Sequence, residues 1–413
     1  MTDGTDQKSD RAFRYPNFRN FVAAKFFTTV AVQMQSVAIG WQVYEITGDP
    51  MDLGLVGLAQ FLPFVILILP AGQVADRLNR RFILSLCYIT EALCAALLLG
   101  LTFIGIQDVW PVLAVLVLFG SARAFSQPAS QAITPNLVPA SAFPNAIALN
   151  SSSGHIARIA GPAAGGMLYV LGPNIVYTSV AIMLCLSAAM MSRVKLPKLI
   201  RAKEPASWHT VFEGLRFVKS RPMILGAISL DLFAVLFGGA VALLPAYASD
   251  ILHIGPQGLG LLRTAPAIGA ASTAAILIFH PVNRNVGHWL FGGVAIFGVA
   301  IIVFGLSSNF SLSLAALTFL GAGDMVSVYI RHMLVQLETP DEIRGRVSAV
   351  NGVFIGASNE LGEFESGFTA AWFGLVPAVV FGGVATLVVT GLWIVFFPQL
   401  SKMDRLPDHY KGK

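Results

Sequence analysis

The chain has 413 residues, of which 55% are hydrophobic and 12% charged, with a mean hydropathy of +0.71. That is too little polar surface to cover a soluble globule, so the sequence reads as a polytopic membrane protein. The net charge of +5 would elsewhere suggest nucleic acid, but here the cations flank apolar segments, where they orient helices and meet anionic lipid; no nucleic-acid partner is expected.

Residues 1–10 are polar and acidic and lack the apolar core of a cleaved leader, so the first apolar segment is expected to remain as a helix. Apolar stretches of about 20 residues predict six spans at 18–45, 52–75, 82–104, 110–133, 143–171 and 174–192. Six more are predicted at 222–249, 257–279, 288–306, 311–336, 345–372 and 375–397. All but four of the 27 Lys and Arg residues are assigned to the N-terminal arm, the even-to-odd loops or the tail. The odd-to-even connections carry none, a bias that places both termini in the cytoplasm. Those connections, around Asp108, Gly172-Pro173-Asn174 and Ser307-Ser308, are short enough for tight antiparallel hairpins.

The loop from Arg193 to Arg221 is long and basic and divides the chain. The expected organisation is an arm at 1–17, a six-helix bundle at 18–192, a linker at 193–221, a second bundle at 222–397 and a tail at 398–413. Within the linker Trp208, Val211, Phe212, Leu215 and Val218 recur at helical spacing, with Glu213, Arg216 and Lys219 between them. This pattern predicts an amphipathic helix on the membrane surface, or a simple tether between the halves. Cys87, Cys94 and Cys185 fall within spans without metal-ligand spacing and read as small apolar core residues. Glycine and proline are dense at 161–166, 238–239 and 352–356, where small residues let helix backbones approach.

The link between the second and third spans reads Gly72-Gln73-Val74-Ala75-Asp76-Arg77-Leu78-Asn79-Arg80-Arg81. It closely resembles the loop signature of the major facilitator superfamily, with Asn79 in place of the second glycine. Asn accepts a left-handed backbone better than most residues, so a tight turn is expected there. The stretches Gly120-Ser121-Ala122-Arg123-Ala124-Phe125-Ser126-Gln127-Pro128-Ala129 and Ala157-Arg158-Ile159-Ala160-Gly161-Pro162-Ala163-Ala164-Gly165-Gly166 resemble the fourth and fifth spans of the branch containing the enterobactin exporter. The segment from Arg344 to Gly367 is similar to bacterial members of the same branch. This resemblance covers nearly the whole chain. It implies an all-α polytopic membrane protein with 12 transmembrane helices in two pseudo-symmetric six-helix bundles, located in a bacterial inner membrane. It also implies a cytoplasmic gate in which Asp76 faces the N-terminus of the eleventh span, with Gly72, Arg77, Arg80, Arg81, Arg344 and Arg346 around it. A charged loop that only sets topology is the alternative. The second-half counterpart, His280-Pro281-Val282-Asn283-Arg284, is degenerate, so one latch is expected.

Four arginines, Arg123, Arg158, Arg263 and Arg331, and six acids, Glu91, Asp231, Asp324, Glu360, Glu363 and Glu365, fall well inside the predicted spans, away from their ends. A charge there is costly unless paired or wet, and spare carboxylates in a cavity can load and release protons. Glu91 is the expected partner of Arg123, as a functional pair or as a structural bridge. His155 and Arg158 share one face of the fifth span, and His155 either titrates or is a hydrogen-bonded bundle residue. Asp324 and Arg331 are each expected to meet a charge on the eleventh span, where Glu360 and Glu363 share a face with Asn351, Ser358 and Asn359 nearby. Asp231 and Arg263 are not expected to meet. Trp41, Tyr44, Phe233 and Phe237 either stack on a flat ligand or pack within the bundle.

The leading expectation is a secondary transporter that exports a small siderophore-like, drug-like or amphipathic molecule by alternating access and proton-coupled antiport. The alternatives are a facilitator, an importer or flippase of an amphipathic lipid, and a membrane sensor. No nucleotide loop, metal cluster or nucleophile constellation is present in the sequence, so neither enzymatic activity nor a cofactor or metal is expected. The expected partners are the small-molecule substrate, protons and membrane lipid, with the protein itself a monomer.

Overall fold

The computed structural model describes residues 11–105, 107–196, 208–340 and 343–407, and among them there are helices and turns but no strand. The first six long helices are α1 (Pro16–Thr47), α2 (Pro50–Arg77), α3 (Arg80–Ile104), α4 (Trp110–Ile133), α5 (Phe143–Tyr169) and α6 (Pro173–Ser192). The linker contributes α7 (Trp208–Ser220). The seventh span is α8 (Pro222–Phe237), a 3-10 turn over Gly239–Leu243, the short α9 (Leu244–Ala246) and a π turn over Tyr247–Ile251. There follow α10 (Pro256–Phe279), α11 (Val286–Leu306), α12 (Phe310–Glu338), α13 (Arg344–Phe373), α14 (Leu375–Phe396) and the short α15 (Pro398–Ser401).

Proline opens α1, α2, α6, α8 and α10, where its missing N–H would have no helical partner. Gly105 at φ 84° and Gly374 at φ 89° end α3 and α13 in a backbone conformation that side chains resist. Among the described residues, ten helices are long and apolar enough to cross a membrane. The other two long ones, α5 and α13, are those that carry His155 and Arg158 and the three glutamates, so their polarity marks them as helices shielded from lipid.

The chain divides into two compact units. The first holds the described residues up to Ala38, from Leu62 to 105 and from Trp110 to 196; the second holds residues 39–61, 107–109 and everything from α7 onward. The hairpin tip joining α1 to α2 therefore belongs with the second unit. In the first unit Phe18, Phe21, Leu84, Tyr88, Ile133 and Met191 form a continuous apolar core. Here α1 and α5 approach through Gly161 and Gly165: an added Cβ would meet Gln33 or the Met34 backbone at 2.5 to 2.8 Å.

In the second unit Leu230, Leu290, Val294, Ile330, Leu334 and Val389 join α8, α11, α12 and α14. The amphipathic α7 packs Leu215, Phe217 and Val218 into a cluster with Ile224, Val335, Val347 and Val350. These three side chains are thus covered by α8, α12 and α13, which removes their apolar surface from water, while the side chains of Trp208, Val211 and Phe212 lie outside the described residues. Asp404 accepts a hydrogen bond from the Asn285 N–H at 3.1 Å, and the Met403 carbonyl accepts one from Gly287 at 2.8 Å, so the tail caps the first turn of α11.

Gly269 on α10 and Gly321 on α12 are reciprocal: a Cβ on the first would strike the Thr318 carbonyl, and on the second the Pro266 carbonyl. Gly269→Leu is expected to destabilise the second unit by about 1–3 kcal/mol or more through overpacking. It should lower the unfolding temperature of the detergent-purified protein, whereas Gly292→Ala, with nothing within 4 Å of the new methyl, should not.

Candidate functional site

Within the second unit, Arg331 of α12 and Asp231 of α8 form an ion pair whose side chains are only 3% and 6% exposed. Asp324, two turns before Arg331, lies half-buried within electrostatic range of both groups. Arg331 therefore meets the seventh span and not the eleventh, contrary to the expectation from sequence. The reason is helical phase: Asp231 sits on the face of α8 turned to α12, whereas Phe233, about 200° further round, packs on Trp393 of α14 at 5.4 Å between rings. Phe237 is partly buried and packs against the apolar core of this unit. Neither aromatic shares the face of the charge cluster. The cluster of two carboxylates and one guanidinium carries a net charge of minus one when all three are ionised, and a single proton neutralises it.

The acids of α13 face different surroundings. Glu363 lies against Gly57 of α2 and within electrostatic range of Arg263, which itself packs beside Gly40 of α1. At both places the glycine leaves room for the charged side chain. Glu365 accepts a hydrogen bond from Thr369 at 2.8 Å on its own helix and so turns away from Glu363. Ser358 and Asn351 are buried, while Asn359 is exposed and donates back to the Ile355 carbonyl at 2.8 Å. Glu360 is half-buried on the same helix. Trp41 is half-buried, and the buried Tyr44 donates its hydroxyl to Asp250 in the π turn, a pairing the sequence did not suggest.

In the first unit Glu91 is 1% exposed, and its Oε2 has no hydrogen-bond partner among the described residues. Arg123 acts on it electrostatically without forming an ion pair and lies over the Phe119 ring at 6.0 Å. The expected Glu91 to Arg123 bridge is thus a longer-range influence. Arg158 and His155 are exposed on α5. Lys25, assigned to the flanking basic residues by the sequence tally, lies inside α1 and donates from Nζ to Asn150 Oδ1 at 3.1 Å. A lysine one or two turns from a helix end ordinarily reaches out to the interface; this one is held inward by a partner on another helix, which no local pattern reveals.

The loop after α2 is tight, as expected, with two residues between α2 and α3, but it turns without a left-handed residue at Asn79. Asn79 has φ −66° and ψ 112°, not a left-handed backbone, and its side chain accepts from the Arg81 N–H at 3.0 Å as the N-cap of α3. Asn replaces glycine here because a cap needs an acceptor. Arg80 donates to the Ala132 carbonyl at 2.7 Å and Arg81 to the Val194 carbonyl at 3.3 Å, which places positive charge at the ends of α4 and α6. Arg344 donates to the Thr339 carbonyl and Arg346 pairs with Glu213 of α7. Gly72 is half-buried and Arg77 exposed, while the Asp76 side chain lies outside the described residues. No group of His, Cys, Asp and Glu suited to a metal occurs among the described residues.

The model of the transmembrane secretion effector family matches residues 10–410. The multidrug efflux pump Tap of Mycolicibacterium fortuitum is 26% identical over 387 residues, covering 89% of this chain and 92% of that protein. The enterobactin exporter EntS of Citrobacter koseri is 25% identical over 409 residues, covering 95% and 94%. Among solved structures, a bacterial homolog of the human lysosomal transporter Spinster, in an inward-facing and occupied conformation, superposes with a TM-score of 0.72 at 15% identity, covering 97% of this chain and 99% of that one.

Asp231→Ala leaves the Arg331 guanidinium buried beside a single, more distant carboxylate and is expected to cost on the order of 3–5 kcal/mol. Thermal unfolding in detergent should show the loss, and the double variant Asp231→Leu, Arg331→Leu should recover most of it.

Proposed function

The chain belongs to the transmembrane secretion effector family of major facilitator transporters, and on that premise we propose that it exports a small molecule by alternating access in exchange for protons. The observation that carries the reading is the Asp231, Arg331 and Asp324 cluster. A fixed ion pair with a second carboxylate beside it changes charge by one when Asp324 takes up or gives up a proton, and that change alters which partner Arg331 favours. A group of this kind links proton uptake to helix position, because α8 and α12 are held together by the pair that the proton perturbs. Glu91, buried without a hydrogen bond on one oxygen, is a second acid able to carry a proton across the first unit.

The relatives named for multidrug efflux and enterobactin export support an outward direction and an amphipathic, drug-like or siderophore-like substrate. In this reading the chain sits in a bacterial inner membrane with both termini cytoplasmic, acts as a monomer, and uses the halves 18–192 and 222–397 as its moving bodies. Gly72, Asp76, Arg77, Arg80, Arg81, Arg344 and Arg346 serve the cytoplasmic gate; the carbonyl bonds of Arg80, Arg81 and Arg344 brace the helix ends from which it is built.

In proteoliposomes screened with siderophores, drugs and lysolipids, an imposed pH gradient should drive uptake of at least one compound. Asp324→Asn should reduce that gradient-driven flux by about tenfold or more while leaving gradient-independent exchange in place. Absence of gradient-driven flux for every compound, or an unchanged rate in Asp324→Asn, would count against proton coupling.

A further inference from the structure

On α5, Ser151, His155 and Arg158 follow at spacings of four and three residues and are all exposed, although they lie within a helix 27 residues long. A stripe bearing an imidazole and a guanidinium at that depth faces water, not hydrocarbon. Next to it, Lys25 of α1 is fixed by its bond to Asn150 at 3.1 Å, and its ammonium lies within electrostatic range of Arg158. Among the described residues neither cation has a carboxylate ion-pair partner. The two cannot drift apart freely, because Gly161 and Gly165 hold α5 close against α1 only a few residues further along.

Two like charges held together inside a membrane repel each other, and the arrangement gains stability when an anion sits between them. We propose that Lys25, Asn150 and Arg158 form a recognition site for an oxyanion on the transported molecule: a carboxylate, phenolate or phosphate group. Lys25 supplies a point charge and Arg158 a planar fork that donates to two oxygens, while Asn150, its Oδ1 occupied by Lys25, keeps its amide N–H groups for the ligand. The inference rests on the transport reading and narrows its substrate to organic anions. It also divides the labour between the units: Lys25, Arg123 and Arg158 outnumber Glu91 in the spans of the first, whereas Asp231, Asp324, Glu360, Glu363 and Glu365 outnumber Arg263 and Arg331 in the second. Anion recognition belongs to the first, and most of the acids that handle protons belong to the second. Exchange of an outgoing organic anion for an incoming proton is then driven by the membrane potential as well as the pH gradient.

The test uses the full chain in phosphatidylcholine nanodiscs with carboxyfluorescein, benzoate and phenyl phosphate as anions and ethidium as a cationic control. At least one anion should raise the unfolding temperature. Lys25→Gln and Arg158→Gln should each weaken its binding about ten- to hundredfold, with partial retention in Arg158→Lys. Lys25→Gln keeps a hydrogen-bonding group for Asn150 but removes the repulsion, so the ligand-free variant should unfold a few degrees higher than the parent, on the order of 2–4 °C. Competition by phosphatidylglycerol added to the nanodisc, lost in both variants, assigns the oxyanion to a lipid headgroup; its absence assigns it to a soluble substrate. The proposal is overturned if no anion stabilises the parent protein, if anion binding survives both substitutions, or if ligand-free Lys25→Gln is less stable. Such a failure alongside intact pH-driven flux spares the transport reading, and anion binding without any driven flux does the opposite.

Discussion

A charge placed in hydrocarbon must be paired, wetted or neutralised, and the pair between Asp231 and Arg331 shows how much of this molecule answers to that demand. Bringing a carboxylate on α8 to a guanidinium on α12 sets the rotation of both helices. With Asp231 turned to α12, Phe233 falls on the opposite side against Trp393, and the apolar core of the second unit closes over the remaining faces. The break after α8, at Gly238 and Gly239, comes about two turns beyond the pair, where the backbone passes close to Gly362. Asp324 then finds itself beside a pair already made, so its own charge state changes the balance without being needed to build the fold.

Glycine and charge work together in this bundle. Gly57 leaves the space that Glu363 fills and Gly40 the space beside Arg263, while Gly161 and Gly165 let α5 come near enough to α1 for Lys25 to reach Asn150. In a membrane, where apolar side chains gain little by leaving lipid for protein, close backbone approach and interhelical polar contacts supply much of the association. The same small residues that permit packing therefore decide which charges can meet.

Legibility in the sequence differed between residues for identifiable reasons. The positions of the long helices were readable because apolar runs of spanning length mark them, although the seventh, expected unbroken over 222–249, is interrupted after Phe237. That α5 and α13 carry charge within their spans was readable from His155, Arg158, Glu360 and Glu363. Partner choice was not: Arg331 finds Asp231 across 100 positions of sequence, and Tyr44 finds Asp250 across a still longer separation. Asn79 was misread as a glycine substitute because a cap and a left-handed turn favour the same residue type, and only the torsion angles separate them.

By itself the sequence determined that the chain crosses a membrane repeatedly and, apart from the break in the seventh span, where its long helices lie to within a few residues, since these follow from length, composition and local backbone chemistry. The tertiary structure decided which charges meet: Lys25 beside Arg158 on the first unit, Asp231 with Arg331 and Asp324 on the second. How strongly two charges on different helices interact depends on distances of a few ångströms, and those are fixed by helix rotation and glycine contacts that no segment contains alone.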